Sequence, residues 1–353
     1  MKILIIHPYP FSEYKGGVEL YCQNLEKSLF KYIKISQLNG HYFKILGEPL
    51  PKIKIFQTIQ DIKPDIIHLQ GPRPFATITG IFGKILKRKT VLTYHAHLNP
   101  KNYLKKIIAV LDQFISKYIF HFLIVTSEDY KNKVAKFFPE KRIKVIPLLI
   151  DNRFFQYQKT KEECKKELGI GEEKIVLFAG KLDIHHYYKG VDILIEVAKL
   201  LPEGIKIIIV GDGDKRKDYE KMVLDFGVGK RIEFVGEMEQ ENLMKYYCAS
   251  DIFALPSTSD SEGFGFVLLE AMAMGLPIIT TNIVGSAQII KEKKAGIIIP
   301  PNNPEALTQA IQDLFKDNSL YQTLRENGKK FADEFRIQKN INKFLEVYKY
   351  LLA

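Results

Sequence analysis

Two glutamates on either side of a glycine turn are the side chains of this sequence best suited to chemistry. Residues 257–275 read STSDSEGFGFVLLEAMAMG, with Glu262 just before Gly263-Phe264-Gly265 and Glu270 in the second turn of the helix-forming run that follows. A strand-like apolar run, Ile252 to Leu255, leads into it. Glycines at such a junction let the backbone approach a ligand closely. The unpaired N–H groups of a first helical turn, with the positive end of the dipole, suit an anion such as a diphosphate. A carboxylate beside a diphosphate is repelled, so these two acids are expected to face neutral hydrogen-bond donors. Sugar hydroxyls qualify, because a carboxylate can accept both protons of a vicinal diol. One helix tip could then hold a nucleoside-diphosphate sugar, with Glu270 on the ribose and Glu262 on the transferred sugar. The spacing alone fits equally a buried amphipathic helix with Glu262 in solvent.

Two lysines complete the picture. Lys174 to Ala179 reads as a strand, followed by Gly180-Lys181, a loop containing IHHYY, and Lys189-Gly190 opening a helix. Lys181 and Lys189 are the candidates to neutralise a diphosphate, two ammonium groups doing what a divalent metal does elsewhere.

The run EGFGFVLLEAMAMG resembles the signature of family 4 of the retaining, nucleotide-sugar-dependent glycosyltransferases (group 1), and the likeness extends from the first strand to about Leu314. It implies the GT-B fold: α/β, two doubly wound Rossmann-like domains facing a cleft. It implies transfer of a hexose-type sugar from a nucleoside-diphosphate donor to an acceptor hydroxyl with retention, the leaving diphosphate taking the acceptor proton. The nucleotide sugar is then a co-substrate, with no cofactor and no metal expected. By the same resemblance Gly16 and Gly17, in the turn after the first strand, face the donor diphosphate and the acceptor. His95, after the strand Lys89 to His95, lies near the transferred sugar, and Glu237 and Met238 flank the nucleobase. His95, Glu262 and Lys189 are thus the catalytic candidates, and Gly263, Phe264, Gly265 and Phe266 belong to the donor site. The chain departs from the family in three places: Lys181 stands where arginine is usual, which loses the bidentate fork; the loop to Lys189 is longer; and Leu148-Leu149 replace an Asn-Gly.

Several other motifs compete. His95 and His97 share a strand face, but no carboxylate or cysteine partner lies near them in sequence to make a metal site. Gly211-Asp212-Gly213-Asp214 suggests a dinucleotide fingerprint, yet Arg216 occupies the third glycine position; we assign no metal to its aspartates. His68 fits a core histidine or an acceptor contact, and His185-His186 fit an exposed loop. Cys22, Cys164 and Cys248 are too scattered for a disulfide framework.

Length, 353 residues, suits two domains, and 46% hydrophobic content fills both. The net charge of +11 is uneven: residues 1–150 hold 24 Lys+Arg against 10 Asp+Glu, and the remainder holds 28 against 31. A basic first half calls for an anionic partner. No zinc, helix-turn-helix or aromatic–basic pattern points to nucleic acid. An anionic membrane surface or an acidic or lipid-linked glycan acceptor fits better. Basic knots at Lys84, Lys87, Arg88 and Lys89, and at Lys105 and Lys106 within the amphipathic stretch Asn99 to Phe122, would form that surface; a core helix with a solvated lysine face is the other reading.

Apolar runs are too short for a membrane span. With an N-terminus that begins as a strand, the expected setting is cytoplasmic, at the inner membrane face. The expected division is an acceptor-side domain over 1–155, a nucleotide-sugar domain over 156–335, and a terminal helix over 336–353 that returns to the first, with a linker near 151–161 and one helix from about Leu320 onward. A soluble-acceptor transferase, a nucleotide-sugar epimerase and a non-catalytic nucleotide-binding protein stay open on the same scaffold.

Overall fold

Short runs rich in Ile, Leu and Val become the strands of two parallel sheets, and their burial on both faces explains why they show little alternation. The computed structural model describes residues 1–7, 17–30, 32–38, 42–45, 48–71, 75–94 and 103–353. The chain divides into two compact units, Met1–Ile150 with Phe335–Ala353, and Asp151–Glu334.

In the first unit the strands are β1 (Lys2–Ile6), β2 (Lys34–Leu38), the antiparallel pair β3 (Tyr42–Ile45) and β4 (Glu48–Pro51), then β5 (Ile66–Gln70), β6 (Lys89–Tyr94), β7 (Phe122–Val125) and β8 (Ile143–Val145). The main sheet runs β2-β1-β5-β6-β7-β8, every pair parallel. Apolar side chains of β1, β5, β6 and β7 meet Ile55, Ile59 and Phe75 from the helices Ile53–Ile62 and Phe75–Ile85 in one core cluster. The last helix, Ile337–Leu352, buries Phe344, Tyr348 and Leu351 in this unit.

The second unit contains β9 (Lys174–Ala179), β10 (Ile205–Val210), β11 (Ile232–Gly236), β12 (Ile252–Leu255), β13 (Ile278–Thr281) and β14 (Ile297–Ile299), in the order β11-β10-β9-β12-β13-β14. The chain starts at β9, winds outward to β11, then returns to β12 and winds the other way. The reversal therefore falls between β9 and β12, the place where doubly wound sheets open a crevice beyond the strand ends. Only Val176–Leu177 of β9 pair with Ile252–Phe253 of β12, so the two strands are free of each other at their carboxyl ends.

Three features differ from, or add to, what the sequence led us to expect. The linker region 151–161 holds one short helix, Asn152–Phe155, capped by Asp151, and ends on a reciprocal capping box of Thr160 and Glu163 that opens the helix Lys161–Leu168. The single C-terminal helix is two, Asn318–Asp333 and Ile337–Leu352. Between them the backbone leaves the helical pattern because Phe335 O accepts from Ile150 N and Ile150 O from Ile337 N. Finally, the helices bearing Cys164 and Cys248 pack together, and no disulfide joins any of the three cysteines.

Candidate active site

The loop after β12 and the loop after β9 are stitched together by their backbones. Thr258 N donates to Tyr188 O at 2.7 Å. Gly190, the cap of the helix Val191–Leu200, sits at φ +78°, and a Cβ there would stand 2.1 Å from Pro256 O. Only glycine meets both conditions. This seam fixes the loop bearing Lys189 against the loop bearing Glu262, and Lys189 Nζ donates to Glu262 Oε2 at 2.6 Å. The stem of Lys189 crosses Gly180, where a Cβ would lie 2.9 Å from its Cδ. Lys181, next in sequence, is half-buried.

The glycine turn is tied down from the other side. Gly285 N donates to Gly263 O at 2.8 Å, Ser286 Oγ to Phe264 O at 2.6 Å, and Thr281 Oγ1 to Ser257 O at 2.7 Å. Phe264 stacks on Phe331, ring centroids 6.5 Å apart. Gly265 caps the helix Phe266–Ala273 at φ +76°, and the first backbone bond of that helix is Leu268 N to Gly265 O. The amides of Phe266 and Val267 precede it and form the open donor end of the helix.

Glu270 lies buried one turn further in. Tyr247 Oη donates to its Oε2 at 3.0 Å. Its carboxyl is raised to about 7, chiefly by burial, with the hydrogen bonds from Tyr247 and Gln240 opposing the rise and nearby Asp151 adding to it. Arg153 Nη2 in turn donates to Gln240 Oε1 at 2.8 Å and forms an ion pair with Asp151. The acid is thus held by Tyr247 and Gln240 from the helix Gln240–Ala249, with Arg153 behind them.

Of the side chains singled out in the sequence, Glu262 sits in a different setting from the one expected. Glu262 is not solvated, nor does it face only uncharged hydroxyls, since one of its oxygens accepts a hydrogen bond from the Lys189 ammonium. Both acids are buried, so the amphipathic-helix alternative with a free Glu262 does not describe this turn. Glu237 is exposed and Met238 half-buried, just past β11 at the outer edge of the sheet. Gly17 opens the helix Gly17–Leu29. Gly16 and His95, and the side chains of Lys105 and Lys106, lie outside the described residues.

His68 is a core histidine: its ring nitrogens lie 2.7 Å from Tyr348 Oη and from Thr93 Oγ1, and Gln70 Nε2 is 2.9 Å from Nε2. The aspartates of the Gly-Asp-Gly turn are occupied structurally, Asp212 by Gly213 N and Arg216, and Asp214 by Ile184 N. His186 is half-buried and paired with Asp183 at 2.7 Å, while His185 is exposed. Among the described residues no group of three His, Cys, Asp or Glu side chains could hold a metal ion. Tyr247, Gln240 and Arg153 were not singled out by the sequence; each is an ordinary helix residue whose partner lies far along the chain.

Two family models match: Glycosyltransferase Family 4 over residues 16–154 and Glycosyl transferases group 1 over residues 160–331. An uncharacterized glycosyltransferase of Methanocaldococcus jannaschii is 31% identical over 246 residues, covering 67% of this chain and 62% of that protein. A second glycosyltransferase of that organism is 28% identical across 99% of both. The O-antigen chain mannosyltransferase C of Escherichia coli is 27% identical over 89% of this chain and 83% of its own length. Among solved structures, Anabaena HepE in complex with UDP gives a TM-score of 0.80 at 21% identity, covering 99% of this chain and 100% of that one. Sucrose-phosphate synthase from Thermosynechococcus elongatus gives 0.76 at 21%, covering 100% and 99%. With two parallel-sheet Rossmann-like domains, a strand reversal at the glycine turn and both family models in register with the two halves, this chain belongs to the group 1 (family 4) glycosyltransferases and has the GT-B fold.

Proposed function

We propose that the chain transfers a hexose-type sugar from a nucleoside-diphosphate sugar to an acceptor hydroxyl, with retention and without a metal ion. The observation that carries this is the meeting, at one helix tip on the strand reversal, of open amides, the Lys189–Glu262 pair and the buried Glu270. In this reading the diphosphate sits on the amides of Phe266 and Val267 and on Lys181 and Lys189. Glu270 accepts from the ribose hydroxyls, and Glu262, once Lys189 turns to phosphate, accepts from the sugar. Negative charge grows on the diphosphate as the glycosidic bond breaks, and the two ammonium groups stabilise it. That diphosphate then takes the proton of the acceptor hydroxyl, so no side chain has to act as a nucleophile. Structures of HepE with UDP and with UDP-glucose support a uridine donor as the first to test.

For the acceptor we favour a lipid-linked or anionic glycan at the cytoplasmic membrane face. The excess of cations in residues 1–150 and the likeness to an O-antigen mannosyltransferase support it.

A thermal-shift series with UDP-, GDP- and ADP-hexoses tests the donor site, followed by NMR of the product's anomeric configuration with and without EDTA. Stabilisation by one donor class, an axial-to-axial outcome and indifference to EDTA are expected. Conversion of the donor without any acceptor would replace transfer with epimerisation. Binding without turnover across acceptors would leave a nucleotide-binding protein.

A further inference from the structure

The helices Phe75–Ile85 and Tyr103–Ile119 carry large apolar side chains on the outside of the first unit. Val110, Leu111, Phe114, Ile115 and Tyr118 recur along one helical face, and each is between 44% and 67% exposed. On the preceding helix Ile81 and Ile85, one turn apart, are exposed as well. Between those two, Lys84 donates from its ammonium to Tyr118 O at 2.9 Å, which joins the two apolar stripes at one end. Lys117 stands 5.0 Å from the ring centroid of Tyr118 and 5.8 Å from that of Phe114. Lys87 and Lys89 extend the cationic rim past the helix end.

The charge pattern says what this face can meet. Residues 75–89 contain no acid, and residues 103–122 contain one, Asp112, which is buried. A solvated helix face ordinarily mixes both signs of charge and turns its large apolar residues inward. Here the centre is apolar and aromatic, the rim is cationic, and exposed carboxylates are absent from both helices. An anionic bilayer complements all three: apolar side chains enter the boundary between headgroups and chains, aromatic rings sit at headgroup level, and lysines reach the phosphates. A second copy of the chain would instead set the same cations against one another. Among the described residues no helix is long and apolar enough to cross a membrane, so a docked helix lies in the plane of the interface.

We propose that the face formed by Ile81, Ile85, Leu111, Phe114 and Tyr118, rimmed by Lys84, Lys87 and Lys117, docks flat on an anionic phospholipid bilayer. This deepens the acceptor side of the reading above, and rests on it only for what the docking serves.

Flotation with vesicles of equal parts phosphatidylcholine and phosphatidylglycerol, beside phosphatidylcholine alone, tests it. The chain should float with the anionic vesicles and stay behind with the neutral ones. The pair Phe114→Ser with Tyr118→Ser, and separately Lys87→Asn with Lys117→Gln, should each weaken anionic-vesicle binding by about tenfold or more. Both pairs should keep the wild-type thermal shift with nucleotide sugar, which shows that the chain is folded. Equal binding to both vesicle types, binding to neither, or an apolar pair that floats like wild type overturns the proposal. So does a concentration-dependent dimer, seen in sedimentation, that Phe114→Ser dissolves. A wild-type chain that floats but ignores every nucleotide sugar would sink the donor-site reading and leave this one standing.

Discussion

Glu262 Oε2 and Lys189 Nζ lie 2.6 Å apart although 73 residues of sequence separate them, and both side chains are about nine-tenths shielded from water. A buried pair of this kind loses much solvation and regains only its mutual attraction, so it fixes geometry more than it adds stability. It keeps an ammonium and a carboxylate beside the glycine turn before any donor arrives.

Lys189→Met should leave Glu262 with an uncompensated buried charge and lower unfolding stability by ~3–5 kcal/mol. Adding Glu262→Gln should recover most of that loss. Turnover should fall by about two orders of magnitude or more in the single variant and stay low in the double one. Denaturant titrations beside steady-state kinetics separate the two effects; a double variant with restored turnover would remove Lys189 from the reaction.

Glu270 should give donor binding and stability opposite dependences on pH. Burial raises its carboxyl from 4.5 to about 7. The stability it contributes is therefore full below about pH 4.5 and is lost as pH rises through about 7, by up to about 3 kcal/mol. Glu270→Gln should flatten that fall, seen as a smaller drop in Tm between about pH 5 and pH 8. Donor affinity should instead rise over the same window in wild type, because the ionised carboxylate is the better acceptor for ribose hydroxyls, and Glu270→Gln should abolish the rise.

Tyr247→Phe removes one of the two hydrogen bonds that hold the Glu270 carboxyl down. The loss should raise KM for the donor by about fivefold near neutral pH, the cost of one buried hydrogen bond, with kcat little changed. At higher pH, where the carboxylate is ionised regardless, the KM difference should shrink. A loss confined to kcat would contradict a positioning role for this hydroxyl.

Gly190→Ala should damage both fold and activity. The positive φ and the 2.1 Å approach to Pro256 O leave no room for a methyl group, and relief requires the two site loops to separate. We expect a stability loss of ~2 kcal/mol or more and a rise in donor KM. Gly204→Ala, also at positive φ but with nothing near its Cβ, serves as the control, losing stability through backbone strain alone.

The sheets were legible in the sequence because a buried parallel strand is a short apolar run, and β1, β5, β6, β9, β10 and β12 all read that way. The glycine turn was legible for a local reason too, being a strand end, a polar loop and a helix start in sequence order. The pairing of Glu262 with Lys189 was not, since it depends on Gly190 fitting under Pro256, a contact between segments that share no local pattern. The same holds for the break at Phe335: nothing in EFRIQK interrupts a helix, and it is the bridge to Ile150 that does so. The capping box at Thr160 and Glu163 is a local signal as well, a threonine with a glutamate three residues on, at the end of the stretch that reads as a linker.

The return of the chain to the first unit has a consequence for how that unit is made. His68 sits in a segment synthesised early, but Tyr348, against which it packs, leaves the ribosome after all of residues 151–334. A nascent first unit therefore waits with an open slot where Phe344 and Tyr348 belong, and it closes only when the intervening unit has emerged. A released chain that stops short of Ile337 should show a protease-resistant second unit attached to an unfinished partner.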